Sequence, residues 1–309
     1  MKRMTSSFWP CFLIAWLAAG SCCGPATALA SETVEELIGR GVRLESGEIA
    51  TLPAPQMPDG LSPDEQQAAL RKAAGKYPLD RFVRKSVVAP FSLEIGAVDD
   101  AAGRRRGQHV DFCFVAYGQL STVIEEDLFG QLAGAQESGR ADDADSMARA
   151  LTSEELQSRG LKPVKNARRE ESYVRFDLPI LNRVQLRGVG FAVREKRAHS
   201  VIAALVLDDH FRDDKQFPNS WSPLARDPQG KLTVEAAKPY SGLGGYMKMT
   251  ELAEPAGALF VECHIAFDEP EAWFHGKNFL RSKLPLVVQD NVRTFRRKLS
   301  KDASASEEE

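Results

Sequence analysis

The stretch that decides the fold is Tyr246-Met-Lys-Met-Thr-Glu-Leu252, then Glu254-Pro-Ala-Gly257, then Ala258-Leu-Phe-Val-Glu-Cys-His-Ile-Ala-Phe267. It reads as two strands joined by a tight turn, because apolar runs flank a Pro-Gly breaker. In the second strand Val261, Cys263, Ile265 and Phe267 share one face, and Glu262 and His264 share the other. The apolar set is the better core face, which pushes Glu262 and His264 toward solvent or a neighbouring strand. After an aromatic corner, Asp268-Glu-Pro-Glu-Ala-Trp-Phe274, comes a helix signal. Leu280, Leu284, Val288, Val292, Phe295 and Leu299 form one apolar stripe at helical spacing. Arg281, Lys283, Arg293, Arg296, Arg297 and Lys298 fall on the other faces or in the last turn, where cations suit the helix dipole. Pro285 is expected to kink this helix or to mark its true start.

At the far end of the chain, Met1 to Ala30 has the form of a secretory signal. Lys2 and Arg3 give the positive start, Phe8 to Ala19 the apolar run, and Ala28-Leu-Ala30 the small-x-small cleavage pattern. The run is short for a membrane span. Cleavage near Ala30 implies an exported protein, periplasmic or extracellular; lipidation at Cys22 is the alternative. Removal of Lys2 and Arg3 moves the formal net charge from −3 to −5. That argues against a nucleic-acid partner held by global charge. Of the five cysteines, Cys113 and Cys263 lie beyond the signal. They are either one disulfide or two buried thiols.

Between these ends the chain divides by pattern. Residues 31–61 hold a short helix candidate, with Thr33 and Glu36 spaced as a capping box, and a Pro-rich linker carrying Pro53, Pro55 and Pro58. The main domain is expected over 62–299. It opens on the helix signal Ser62-Pro-Asp-Glu65. Phe82 to Val98 and Arg104 to Tyr117 read as a hairpin, and Gln119 to Ala133 as a helix inside a helical and polar insert over 119–162. From Tyr173 onward the pattern is almost entirely β. The acidic tail 300–309 is expected to be disordered.

The chemistry-bearing residues are few. No His-x-x-x-His or Cys-x-x-Cys spacing occurs, so neither a metal nor another cofactor is expected. The polar cluster Asp208-Asp-His-Phe-Arg-Asp-Asp214 is the one place where carboxylates and imidazole gather, and a solvated connection explains it better. Glu262 and His264, two apart on one strand, have the residue types of an acid–base pair. No nucleophile elbow, P-loop or dinucleotide fingerprint is present. The Tyr240-Ser-Gly-Leu-Gly-Gly245 run precedes a strand rather than a helix, so it suits a bend and not a phosphate cradle.

The order hairpin, Asp/Pro/Trp corner, then helix, with Asp268, Pro270, Trp273, Asn278, Lys283 and Pro285, resembles the START-like helix-grip superfamily. The motif-level likeness covers the C-terminal forty or so residues, and the element order extends it to Ser62–Leu299. The resemblance implies an α+β fold in which a curved antiparallel sheet grips a long C-terminal helix. It also implies an apolar cavity between them, lined by Val261, Cys263, Ile265, Phe267, Trp273, Leu284, Val288 and Val292, for a lipid or other hydrophobic small molecule. A non-enzymatic binding protein is the leading expectation. The alternatives are a cyclase- or hydrolase-like enzyme using Glu262, His264, Asp111 or Arg187 inside the cavity, and an interaction protein of the cell envelope. The basic helix face offers peripheral contact with a membrane surface.

Overall fold

The computed structural model describes residues 33–125, 148–270, 273 and 279–305. The signal sequence, Cys22, half of the insert and the end of the acidic tail lie outside those residues. The described chain is α+β, with a large antiparallel sheet and a C-terminal helix.

The sheet is built from β3 (Ser92–Asp99), β4 (Arg105–Tyr117), β5 (Ala148–Ala150), β6 (Arg169–Ile180), β7 (Val184–Lys196), β8 (Ser200–Leu207), β12 (Leu243–Glu251) and β13 (Ala258–Asp268). They run in the order β5-β6-β7-β8-β12-β13-β4-β3. The first residues of β7, Val184 to Arg187, instead pair with β9 (Ser220–Arg226), which carries β10 (Leu232–Val234) and β11 (Lys238–Pro239). The quoted hairpin is β12–β13, in register Tyr246 to His264 and Lys248 to Glu262. Phe82 to Val98 is not strand throughout. Leu79–Phe82 is a helical turn, α3, and β3 begins at Ser92, after Pro90.

After the short helices α4 (Leu120–Glu125) and α5 (Ser153–Gln157), the closing helix, α6 (Phe279–Ala305), contains Pro285 within it. Its stripe is buried at every position from Leu280 to Leu299. Eight strands at about 4.8 Å spacing make a sheet more than three times as wide as a helix of about 10 Å. One helix covers such a face only if the sheet curls. It does: Val261 of β13, Val174 and Ile180 of β6 and the α6 stripe belong to one core cluster, and Ile95 of β3 packs against it.

The opposite face is covered as well, by the N-terminal residues. Helix α1 (Val34–Arg40) begins at a Thr33/Glu36 capping box and packs Val34, Leu37 and Ile38 on Val193, Ile202 and Tyr246. The small hairpin β1 (Val42–Arg43) and β2 (Ile49–Ala50) covers Ala266. Helix α2 (Pro63–Ala74), capped by Ser62 and Glu65, packs with α3 against Cys113, Val115 and Phe260. The Pro-rich stretch read as a linker is therefore a packed strap between α1 and α2. Met57 within it is fully buried.

Candidate functional site

The inner face of the sheet meets the closing helix through apolar side chains. On β8, β12, β13 and β4 the inward positions are glycine or apolar from Val201 to Leu207, Leu243 to Met249, Leu259 to Phe267 and Val110 to Ala116. The structure places Val261, Cys263, Ile265, Phe267, Trp273, Leu284, Val288 and Val292 together in this cluster, all buried. Trp273 stacks on Tyr240 at 5.5 Å and meets Trp221 edge-on at 6.0 Å, closing the corner end of the wall. Charges enter the inner face toward the end of β6–β7, where Arg194 pairs with Glu170.

The outer face carries the polar chemistry. Glu262 and His264 point away from the closing helix, as the alternation requires, but they do not face solvent: their exposures are 0% and 1%. The strap covers them. Three of its residues are prolines, which bring no N–H under the strap. The donors at Gln56 and Met57 do need acceptors, and both go to the Glu262 carboxylate, at 2.6 and 3.2 Å. Lys248, 1% exposed, donates to the Met57 carbonyl at 2.7 Å and meets Asp59 Oδ1 at 2.9 Å. Tyr246 donates its hydroxyl to the Pro53 carbonyl at 2.6 Å. Side chains of the sheet thus supply the hydrogen bonds that a neighbouring strand would otherwise give the strap.

His264 sits between two carboxylates, with Nδ1 at 2.6 Å from Asp111 and Nε2 at 3.4 Å from Glu262. Burial disfavours its charged form, but the two acids outweigh burial and raise its pKa above the ordinary imidazole value. Asp59 shows the opposite balance. Burial raises it, yet hydrogen bonds from Arg197, Ser200 and Lys248 hold it at about 2. At the end of β13, burial pushes Asp268 up to about 7, although its Oδ2 accepts the Glu45 N–H at 2.7 Å.

Of the four groups considered for chemistry inside the cavity, none points inward. Glu262, His264, Asp111 and Arg187 all lie on the outer face, and Arg187 is paired with Asp177 at 2.9 Å. The Asp208–Asp214 cluster is tied into its own loop. Asp208 Oδ1 accepts the His210 backbone N–H and meets its ring Nδ1, each at 2.8 Å, and Asp214 pairs with Arg159 at 2.8 Å. Among the described residues no group of three or more possible ligands converges for a metal. Cys113 and Cys263 are free buried thiols on opposite faces, since the residue across from Cys113 is Glu262. Burial raises both, Cys113 to about 12.

Sequence reasoning missed Lys248, Tyr246, Asp59 and Arg296. The first two had a signal: once β12 and β13 are paired about their turn, Lys248 falls opposite Glu262 and Tyr246 opposite His264. Arg296 had none. It was assigned to an outer helix face, but it is 3% exposed and reaches across the sheet edge to the carbonyls of Val115, Ala89 and Pro90.

The clefts among the described residues include three of note. One of about 590 Å³ mixes Arg104, Arg105 and Arg106 with Glu45, Asp268 and Glu269. One of about 410 Å³ mixes Arg40, Arg43 and Arg212 with Asp208 and Asp209. The third, of about 150 Å³, lies between α6 and residues 87–91 and includes Val292.

No protein-family model matches the chain, and no curated protein matches it. Among solved structures it is similar to the human StarD13 (DLC2) lipid transfer and protein localization domain, with 10% identity and a TM-score of 0.38, over 79% of this chain and 98% of that chain. At that level of likeness the architecture rests on the strand pairing described above.

Proposed function

We propose that this chain is an exported, non-enzymatic binding protein with a START-like scaffold, which holds a lipid or other hydrophobic small molecule between the inner sheet face and the C-terminal helix. The observation that carries this reading is the inner wall. On the four central strands the inward side chains are apolar, while acid, base and imidazole on those same strands face the other way. Such a wall binds by shape and by removing apolar surface from water, worth about 25 cal/mol per Å². Export rests on the N-terminal signal pattern alone.

Native mass spectrometry of the protein after mild extraction tests the reading. The expected result is a folded species carrying extra mass in the range of a lipid, released on denaturation. A consistently empty protein that also takes up no added single-chain amphiphile would overturn it. Substituting Val288→Trp should fill the space beneath the helix and abolish uptake, with the cooperative unfolding transition retained.

A further inference from the structure

Two other poorly exposed cations among the described residues meet acids. Lys248 has Asp59, and Arg169 has Glu171 and Glu195 at 2.9 and 2.7 Å. Arg296 is different. It pairs with no carboxylate among the described residues. Nε donates to Val115 O at 2.9 Å, one terminal nitrogen donates to Ala89 O at 2.5 Å and Val87 O at 3.4 Å, and the other donates to Pro90 O at 3.0 Å. The Phe114 ring lies 5.2 Å from the guanidinium. Carbonyl dipoles orient the group and take four of its five N–H donors, but they do not cancel its charge. Burial lowers its pKa only to about 10, so it stays cationic at neutral pH. A buried charge without an opposite charge is costly, and an anion nearby relieves that cost.

The cleft beside it is built to admit one. Arg296 and Arg293 both line the third cleft, together with Gln289, and no acidic residue does. The other two clefts each set acids among their arginines. The remaining lining is mostly apolar: Val292 comes from the helix stripe, and Val88, 62% exposed, stands at the rim. About 150 Å³ accommodates an acid group and a few methylenes but not a whole lipid. Val292, which lines the cleft, also belongs to the apolar cluster between the helix and the inner sheet face.

We propose that this cleft is an acid-headgroup site, which takes the carboxylate or phosphate of a single-chain amphiphile between Arg293, Arg296 and Gln289, with its chain running past Val292 beneath the closing helix. The inference rests on the reading of the inner wall as a ligand site, and it specifies the class of ligand.

Titration calorimetry with dodecyl phosphate, dodecanol and inorganic phosphate separates the two ideas. Dodecyl phosphate should bind about tenfold tighter than dodecanol, the margin expected of charge-assisted hydrogen bonds. Arg293→Gln should remove at least about threefold of that margin and leave dodecanol unchanged. Arg293 is half-buried and, among the described residues, bonds to no buried carbonyl, so this variant keeps the test valid should Arg296→Met fail to fold. Equal affinity for dodecanol and dodecyl phosphate, or no effect of Arg293→Gln, would overturn the acid-headgroup site and leave the apolar wall standing. Inorganic phosphate binding as tightly as dodecyl phosphate would support the anion site and overturn the wall. Co-sedimentation with phosphatidic acid vesicles, combined with no affinity for free dodecyl phosphate, would overturn capture of a single molecule and make the cleft a bilayer contact.

Discussion

The two faces of β13 are both buried, and they are buried by opposite chemistry. Val261, Cys263, Ile265 and Phe267 meet a helix that offers only apolar side chains along its stripe. Glu262 and His264 meet a strap whose backbone offers two N–H groups, with a lysine and an aspartate beside them. The difference shows what alternation means. It separates the residues of a strand into two sets, but it does not say that the polar set is wet. A polar face can be dry when an irregular segment lies on it, because that segment has main-chain groups to satisfy. The inner face is tolerant, since apolar contact is non-directional. The outer face is specific, since each group there has a named partner.

Substitutions should separate the faces. The largest effect is expected for Glu262→Ala. It leaves the Gln56 and Met57 amides without an acceptor and removes one of the two carboxylates beside His264. Breaking a buried charged network in this way costs roughly 3–5 kcal/mol. Urea unfolding should show that loss, and hydrogen exchange should show the 53–59 strap amides opening first. A loss under about 1 kcal/mol would mean that the strap contributes little to the fold.

Ile265→Ala on the inner face comes next, at roughly 2–4 kcal/mol by the ordinary cost of a core truncation. Here the size of the effect sharpens the comparison. A wall that borders a ligand space has fewer packed neighbours to lose in the empty protein, so the ligand-free value should lie at the low end. Added amphiphile should then stabilise the native protein more than Ile265→Ala, as thermal melts with and without dodecyl phosphate would show. Equal stabilisation of both would place Ile265 away from the ligand.

The smallest expected effect is in pH. His264 has a raised folded pKa, so its contribution is present below about 6.5 and is lost as pH rises through the folded value. Asp268, raised by burial from 3.8 to about 7, favours the folded state when protonated, and its contribution also falls as pH rises through about 7. The two add, and stability should drop by on the order of 1 kcal/mol between about pH 6 and pH 8. Asp59 acts the other way and only in acid: held at about 2, it supports the fold above 3.8 and loses that support as pH falls toward 2. Asp268→Asn should flatten the fall of a melting-temperature profile between about pH 4 and pH 7 and leave the part above pH 7 unchanged. An unchanged slope between about pH 6 and pH 7 would assign the whole effect to His264.

Several elements were legible from the residues alone. The capping boxes at Thr33 and Ser62 both form, because each is closed by side chain and backbone three residues apart and needs nothing else. The β12–β13 hairpin and the α6 stripe also follow from local pattern, period two and period 3.6. Pro285 did not start the helix; the described helix already runs from Phe279 through it. Gln119–Ala133 is helical as far as Leu120–Glu125, and the remainder lies outside the described residues.

The sequence by itself therefore determined which residues of the closing hairpin share a face and where the helix presents its apolar side. Tertiary structure alone decided what covers each face. Residues 51–62, without a period of their own, have no local conformation to read, and their place is set by Tyr246, Lys248 and Glu262 some 190 to 210 positions away. Arg296 follows the same rule. The helical period puts it one step from Phe295 at the margin of the buried stripe, and only the carbonyls of a segment crossing the sheet edge draw its charge inside. Periodicity reports how neighbours in the chain are arranged, whereas burial of a charge depends on partners brought from far along it.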